Sequence, residues 1–235
     1  MIPRIGPSSG PKLVSLRAAH ATTYVLLALA GGVALSVAVP AWAAESAPLP
    51  VAAARVADWI AASRDNASLP YIIVDKKSAS LFLFDAKGKP LGNVPVLIGI
   101  AVGDEATPGV GSKSLAKIGP AEKTTPAGRF LARYGLAAGR QSVLWVDYAN
   151  SVALHPIPKD AGVKERRRQR MLSPTSDDNR ITFGCINVPT AFYGKSVRPL
   201  FRKKGGYVYV LPDIKPIEVV FPGLLARRSV EEQAP

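Results

Sequence analysis

From residue 51 the apolar positions recur at helical spacing. VAAARVADWIAASRD (51–65) sets Val56, Trp59 and Ile60 together beside Arg55 and Asp58, the pattern of an amphipathic helix resting on a core. Ser68-Leu69-Pro70 ends that pattern, and the period falls to two. YIIVD (71–75), SLFLFD (80–85) and VPVLIGIAV (94–102) read as strands joined by hairpins, with Ala86-Lys87-Gly88-Lys89 as a turn. SVLWVDYANSVALHP (142–156) adds two apolar runs divided by Tyr148-Ala149-Asn150. ITFGCINVP (181–189), a helix-capable AFYGKSVRPLFRK (191–203) and a last strand GYVYVLP (206–212) follow. A Gly- and Lys-rich loop fills 103–124. Residues 157–180 are polar and basic, with Met171 and Leu172 as core candidates, and an excursion of this length in a small domain is usually functional or mobile. The sum predicts a mainly β domain with a few short helices. Near the C-terminus Ile217, Val219, Val220 and Phe221 are expected to pack before a flexible end.

Composition narrows the classes. The 235 residues are 48% apolar, enough for one buried core plus extra segments. A single Cys forbids an intramolecular disulfide and a Cys-based zinc cluster, and two His residues, His20 and His155, forbid a His-rich metal site. No metal or cofactor is expected.

Residues 1–20 carry Arg4, Lys12 and Arg17 without an acid, then Ala21–Ala44 are free of charge and end in Pro40-Ala41-Trp42-Ala43-Ala44. A basic start, an apolar middle and a small-x-small pattern at Ala41 and Ala43 predict an export signal cleaved after Ala43. Tyr24–Val39 is short against the roughly 20 residues that span a bilayer, but Ala and Gly flanks leave an uncleaved anchor as the alternative. The predicted organisation is 1–43 signal, 44–69 spacer and helix, 70–221 main domain and 222–235 flexible tail. The chain has 30 Lys and Arg against 17 Asp and Glu. In the cytoplasm that excess would suggest nucleic acid. After export the available polyanions are cell-wall polymers and membrane surfaces, and no aromatic-rich RNA-binding strand is present, so nucleic acid is excluded as a partner. Membrane contact is expected only if the N-terminal segment is retained.

Candidate chemistry converges on Cys185 and His155. A lone Cys in an exported chain is either a small buried apolar residue or a thiol kept for reactivity. Cys185 lies in Thr182-Phe183-Gly184-Cys185-Ile186-Asn187, where a preceding Gly lets the backbone approach a substrate. A thiol nucleophile needs a base nearby, and His155, closing a strand, is the candidate.

The order of a β meander, Thr125-Pro126-x-Gly128-x-Phe130, a strand ending in His155, and Thr182-x-Gly184-Cys185-Ile186-Asn187 resembles the L,D-transpeptidase catalytic domain of the YkuD type, over roughly residues 70–212. The resemblance implies a sandwich-like β fold in the bacterial cell envelope. It also implies an enzyme that cuts after the third residue of a peptidoglycan tetrapeptide stem, holds the acyl group as a Cys thioester and passes it to an amine. Carried over, Cys185 is the nucleophile, His155 its base, and Gly184 with the Cys185 amide the oxyanion donors. Thr182 and Asn187, whose side chains are expected to hold the loop, are grouped with Phe183 and Arg180 as the substrate-binding residues. The family pattern has His where this chain has Phe183, and its His-to-Cys spacing is shorter. Alternatives with the same site are an L,D-carboxypeptidase or thiol amidase, with water as acceptor, and from another class a catalytically silent peptidoglycan-binding module. Arg166, Arg167, Arg168, Arg170 and Lys164 would suit stem carboxylates or form a solvated charge run. Asp177 or Asp178 are candidates to orient His155, unless a backbone carbonyl does so. Trp59, Trp145, Tyr148 and Tyr193 read as core rather than sugar platforms.

Overall fold

Residues 49–137, 141–159 and 164–225 are described by a computed structural model of the chain. The predicted signal or anchor, 1–43, and the end of the predicted tail, 226–235, lie outside them. The described residues belong to one unit, Ala44–Pro235.

Helix α1, Val51–Ser63, buries Ala53, Val56 and Ile60. Strands β1, Tyr71–Asp75, and β2, Ser80–Phe84, form the predicted hairpin, and β3, Pro90–Pro95, pairs antiparallel with β2. The apolar run predicted as one strand at 94–102 is broken, because β3 starts earlier and only Ile98–Gly99 form a further short strand, β4. Between them Leu97 leaves the hairpin to bridge Asn187. Strand β5, Gly128–Leu136, is followed by β6, Ser142–Asp147, and β7, Val152–Pro156. The excursion contains a short helix α2, Arg167–Met171, then β8, Arg180–Thr182, and β9, Ile186–Val188.

Helix α3 begins at Thr190–Phe192, widens to a π-helical turn at Tyr193–Val197 and closes at Arg198–Phe201. Pro199 supplies a cause, since it has no N–H to donate back along an α-helical ladder. Strand β10, Gly206–Val210, and helix α4, Ile217–Val220, complete the chain.

Eight strands form one sheet in the order β3-β2-β1-β10-β5-β6-β7-β9, with β4 and β8 as a separate parallel pair. Only β1–β10 and β7–β9 within the large sheet are parallel. Leu97 N–H and C=O both bond to Asn187, so the segment leaving the β3 edge reaches β9 at the opposite edge. The sheet therefore curls over its core, and the expected mainly β, sandwich-like class is what the chain adopts.

The pleat divides the apolar residues. Ile72, Val74, Leu81, Leu83, Leu154, Ile186, Val208 and Val210 face the central cluster, which Tyr193, Val197 and Phe201 of α3 cover. Tyr71, Ile73, Phe82, Phe84 and Tyr209 face the other side, closed by α1, Phe221 and Leu224. Each fully buried Leu, Ile or Val contributes about 1.5–3 kcal/mol relative to exposure. Helix α1, Phe221 and Leu224 thus share one core with this face of the sheet. Val219, expected to pack, is 61% exposed.

Candidate active site

Strands β7 and β9 run side by side with Leu154 opposite Ile186 and His155 opposite Asn187. Leu154 and Ile186 point into the core, so by alternation His155 and Asn187 point to the other face. Continuing the register, Cys185 falls beside Ala153, on the face of His155 and one diagonal step from it. The sole cysteine, just ahead of β9, and the described histidine, on β7, thus share one face of the paired strands, although 30 residues separate them in sequence.

The turn before Cys185 is built by two threonines. Thr182 Oγ1 donates to the Cys185 carbonyl at 2.6 Å and accepts the Gly184 N–H at 3.2 Å. Thr125 Oγ1, from the Thr-Pro-x-Gly segment, donates to the Gly184 carbonyl and accepts the Gly99 N–H, both at 2.8 Å. Thr182 thus ties the Gly184 amide to the Cys185 carbonyl within the turn. The Gly184 amide is not aimed at a substrate: it is turned onto Thr182, which leaves the Cys185 amide as the candidate oxyanion donor.

Cys185 is half-buried. Its thiol donates to the Ser151 carbonyl at 3.6 Å and receives the Ala153 amide. Ser151 itself sits at φ 57°, a left-handed conformation uncommon outside glycine. Burial pushes the thiol above its ordinary value, against the opposing pull of the Ala153 amide and the Arg167 charge. Burial lowers His155, with the Pro156 carbonyl opposing and Arg167 adding to the fall. The resting pair is a neutral thiol beside a neutral imidazole.

The imidazole's partners define its tautomer. Nδ1 lies 2.8 Å from the Pro156 carbonyl, which can only accept, so Nδ1 carries the hydrogen. Nε2 lies 3.3 Å from Asn187 Nδ2, a donor, so Nε2 holds the lone pair. Asn187 is fully buried, and its Oδ1 receives Arg167 Nη1 at 2.7 Å. Arg167 in turn donates to Glu165.

Other expectations fall elsewhere. A backbone carbonyl orients His155, and neither Asp177 nor Asp178 does; Asp178 accepts from Ser173 instead. Arg180, expected at the substrate, bonds Asp213 at 2.7 Å and lies largely buried. Asn187 links Arg167 to His155 inside the protein and does not reach the cleft surface. Phe183 is half-buried with Lys123 Nζ 3.8 Å over its ring, a cation–π contact two residues from Cys185 that the sequence did not signal. Among the arginines of the excursion Arg167 is drawn inside, while Arg166 and Arg168 remain in solvent. Trp59 and Tyr193 pack as expected, whereas Tyr148 is 75% exposed. Among the described residues no group of three or more His, Cys, Asp or Glu side chains is placed to hold a metal ion, and no helix is long and apolar enough to cross a membrane.

No family model matches the chain, and no curated protein matches it in sequence. Solved structures similar to it include L,D-transpeptidases and a cell-shape protein. The catalytic domain of the Enterococcus faecium L,D-transpeptidase matches at 16% identity and TM-score 0.37, over 60% of this chain and 96% of that one. An L,D-transpeptidase from Xylanimonas cellulosilytica matches at 14% identity and TM-score 0.35, over 60% of each chain. The helical cell-shape-determining protein of Campylobacter jejuni matches at 13% identity and TM-score 0.40, over 78% of this chain and 66% of its own.

Proposed function

We propose that this chain is an exported cysteine acyltransferase of the L,D-transpeptidase kind, acting on peptidoglycan tetrapeptide stems in the periplasm or cell envelope. The observation that supports the reading is the pairing of β7 with β9, whose register continues to Cys185 beside Ala153 and gives Cys185 and His155 a common face. The imidazole hydrogen is on Nδ1, and the Nε2 lone pair is held at rest by Asn187 Nδ2, which must release it before Nε2 accepts the thiol proton.

In the acylation step Cys185 Sγ attacks the carbonyl carbon of the third stem residue as its proton passes to His155 Nε2. The Cys185 amide receives the developing oxyanion. The amide bond to the fourth residue breaks, and its nitrogen leaves with the proton from His155. In the second step an acceptor amine attacks the thioester carbon, gives its proton to His155, and the thiolate leaves and is reprotonated. Because thiol and imidazole both rest neutral, proton transfer accompanies attack and no standing ion pair is required. Water in the amine's place makes the same site an L,D-carboxypeptidase.

The test is mass spectrometry of the full-length protein incubated with disaccharide-tetrapeptide, alone and with a D-amino acid, beside Cys185→Ala. An exchange or dimer product that needs Cys185 supports transpeptidation. A Cys185-dependent tripeptide alone supports the carboxypeptidase. No product with retained sedimentation on peptidoglycan replaces both with a silent wall-binding module.

A further inference from the structure

Arg167 is an unusual member of the basic run. Its side chain is 8% exposed, pinned by Glu165 at Nε, and it aims Nη1 at Asn187. The left-handed Arg166 turns the chain into α2, whose buried residues are Arg167 and Met171, four apart on one face. The excursion that lengthens the His-to-Cys spacing thereby delivers a guanidinium to the back of the site.

We propose that Arg167 is a positioning residue that sets the direction of the Asn187 amide and, through it, the tautomer of His155. The proposal rests on Cys185 and His155 being the acyl-transfer pair. A guanidinium has donors and no acceptor, so Asn187 must present Oδ1 to it. The amide's NH2 end then faces His155, and a donor there admits no hydrogen on Nε2. The proton stays on Nδ1, where the Pro156 carbonyl holds it. Without Arg167 the amide is free to turn, Oδ1 faces Nε2, and the hydrogen is drawn to the nitrogen that should receive the thiol proton. An ammonium is likewise a donor with no acceptor, so a lysine that reaches Oδ1 keeps the same amide orientation.

The charge acts in the same place. Among the described residues Arg167 is the charged group that bears on both Cys185 and His155, and it favours thiolate over thiol and imidazole over imidazolium. Its partner Glu165 lies on the solvent side of it, with its side chain 39% exposed. Strands β7 and β9 bring no other acid or base.

The experiment uses full-length protein labelled with nitrogen-15 at histidine, of which there are two, so a His20→Gln variant assigns His155. Nitrogen shifts read the tautomer, and the rate of Cys185 alkylation by iodoacetamide across pH reads the thiol. The wild type shows a single tautomer with hydrogen on Nδ1. Arg167→Met shows a mixture of tautomers and an alkylation rate at pH 7 about tenfold lower, the loss of one nearby positive charge. Arg167→Lys, a donor without an acceptor, recovers most of the rate and the single tautomer. An unchanged tautomer in folded Arg167→Met overturns the proposal. If Arg167→Met does not fold, Asn187→Asp decides: a carboxylate accepts from both neighbours, so Nε2 acquires a hydrogen, and an Nε2 that stays without one overturns the proposal. Neither readout needs substrate. A protein with the expected tautomers and no stem product keeps this inference and loses the acyltransferase reading, and one with stem product and an indifferent Arg167→Met does the reverse.

Discussion

Gly184 lies at φ +119°, and a Cβ there would stand 2.6 Å from the Thr124 carbonyl oxygen. No side chain fits without moving either the Thr124 backbone or the turn that carries Cys185. Gly184→Ala is expected to cost about 1–3 kcal/mol in urea unfolding and to lower turnover of a tetrapeptide stem about 100-fold, because a shift of about 1 Å at a reacting atom costs that much. Gly194→Ala, where a Cβ meets nothing within 4 Å, is the control and leaves turnover unchanged. The pH dependence follows from two opposite shifts. Burial lowers His155 and raises Cys185, so the neutral pair spans a wider range than free side chains would. The acid limb of the rate profile is expected below the ordinary histidine value of about 6.5, and the alkaline limb above the ordinary thiol value of about 8.5. For stability, folded His155 binds its proton less readily than the unfolded chain does. Stability is therefore lost as pH falls below about 6.5, and its recovery in His155→Gln checks the sign. At this scale Cys185 and His155 could be singled out as candidates because the sequence has one Cys and, beyond the N-terminal segment that holds His20, one His. Asn187 as the link to His155, and Arg167 behind it, were not readable: both depend on where a polar loop folds back, which no local pattern encodes.

The threonine of the Thr-Pro-x-Gly segment joins elements rather than lining a cleft. Thr125 Oγ1 bridges β4, through the Gly99 amide, to the Gly184 carbonyl ahead of β9, and it is 2% exposed. Thr125→Val keeps the shape, deletes both bonds and leaves a buried N–H and C=O without that partner, at about 1–3 kcal/mol for each group. The expected signature is a fall in kcat larger than the stability loss predicts, since the Cys185 turn loses its fastening, and comparing kcat at matched folded fraction tests it. Hairpin β1–β2 was legible because near-continuous apolar runs, separated by a short polar stretch, mark its two strands. Strand β5 escaped notice. Arg129, Leu131 and Arg133 point outward from it while Phe130, Ala132 and Tyr134 turn inward, a period-two pattern obscured by two arginines and two glycines in nine residues. The run at 94–102 misled in the opposite sense. Its hydrophobicity reflects burial, but its backbone is divided between the β2 hairpin and a bridge to Asn187, a tertiary demand that outweighs strand propensity.

Across the molecule the site loop is tied to a buried charge cluster. Lys76, fully buried after β1, lies 3.0 Å from Asp104 and 3.2 Å from Asp213 and donates to the Thr125 carbonyl. Asp213 also holds Arg180 at the start of β8, and Asp104 accepts the amides of Asp213, Ile214 and Lys215 after β10. One lysine thus gathers the loops after β1, β4 and β10 and reaches Gly184 through Thr125. Desolvation alone would raise the Asp104 carboxyl, but the three backbone amides and Lys76 overcome it and bring it down to about 2. A depressed carboxylate contributes stability that is complete above its unfolded value of about 3.9 and disappears as pH falls through the folded value. Asp104→Asn should cost about 3 kcal/mol, the lower end for removing one member of a buried pair, because Asp213 still neutralises Lys76. It should also flatten the fall in urea midpoint on acidification below about pH 4. A variant with wild-type stability and an unaltered acid slope would show the cluster to be energetically idle. The coupling to chemistry is read separately. If Lys76 holds Thr125 for the benefit of Cys185, Asp104→Asn also slows alkylation of Cys185 under conditions where the protein remains folded, whereas Arg55→Ala, which breaks a more exposed ion pair with Glu218, leaves alkylation unchanged.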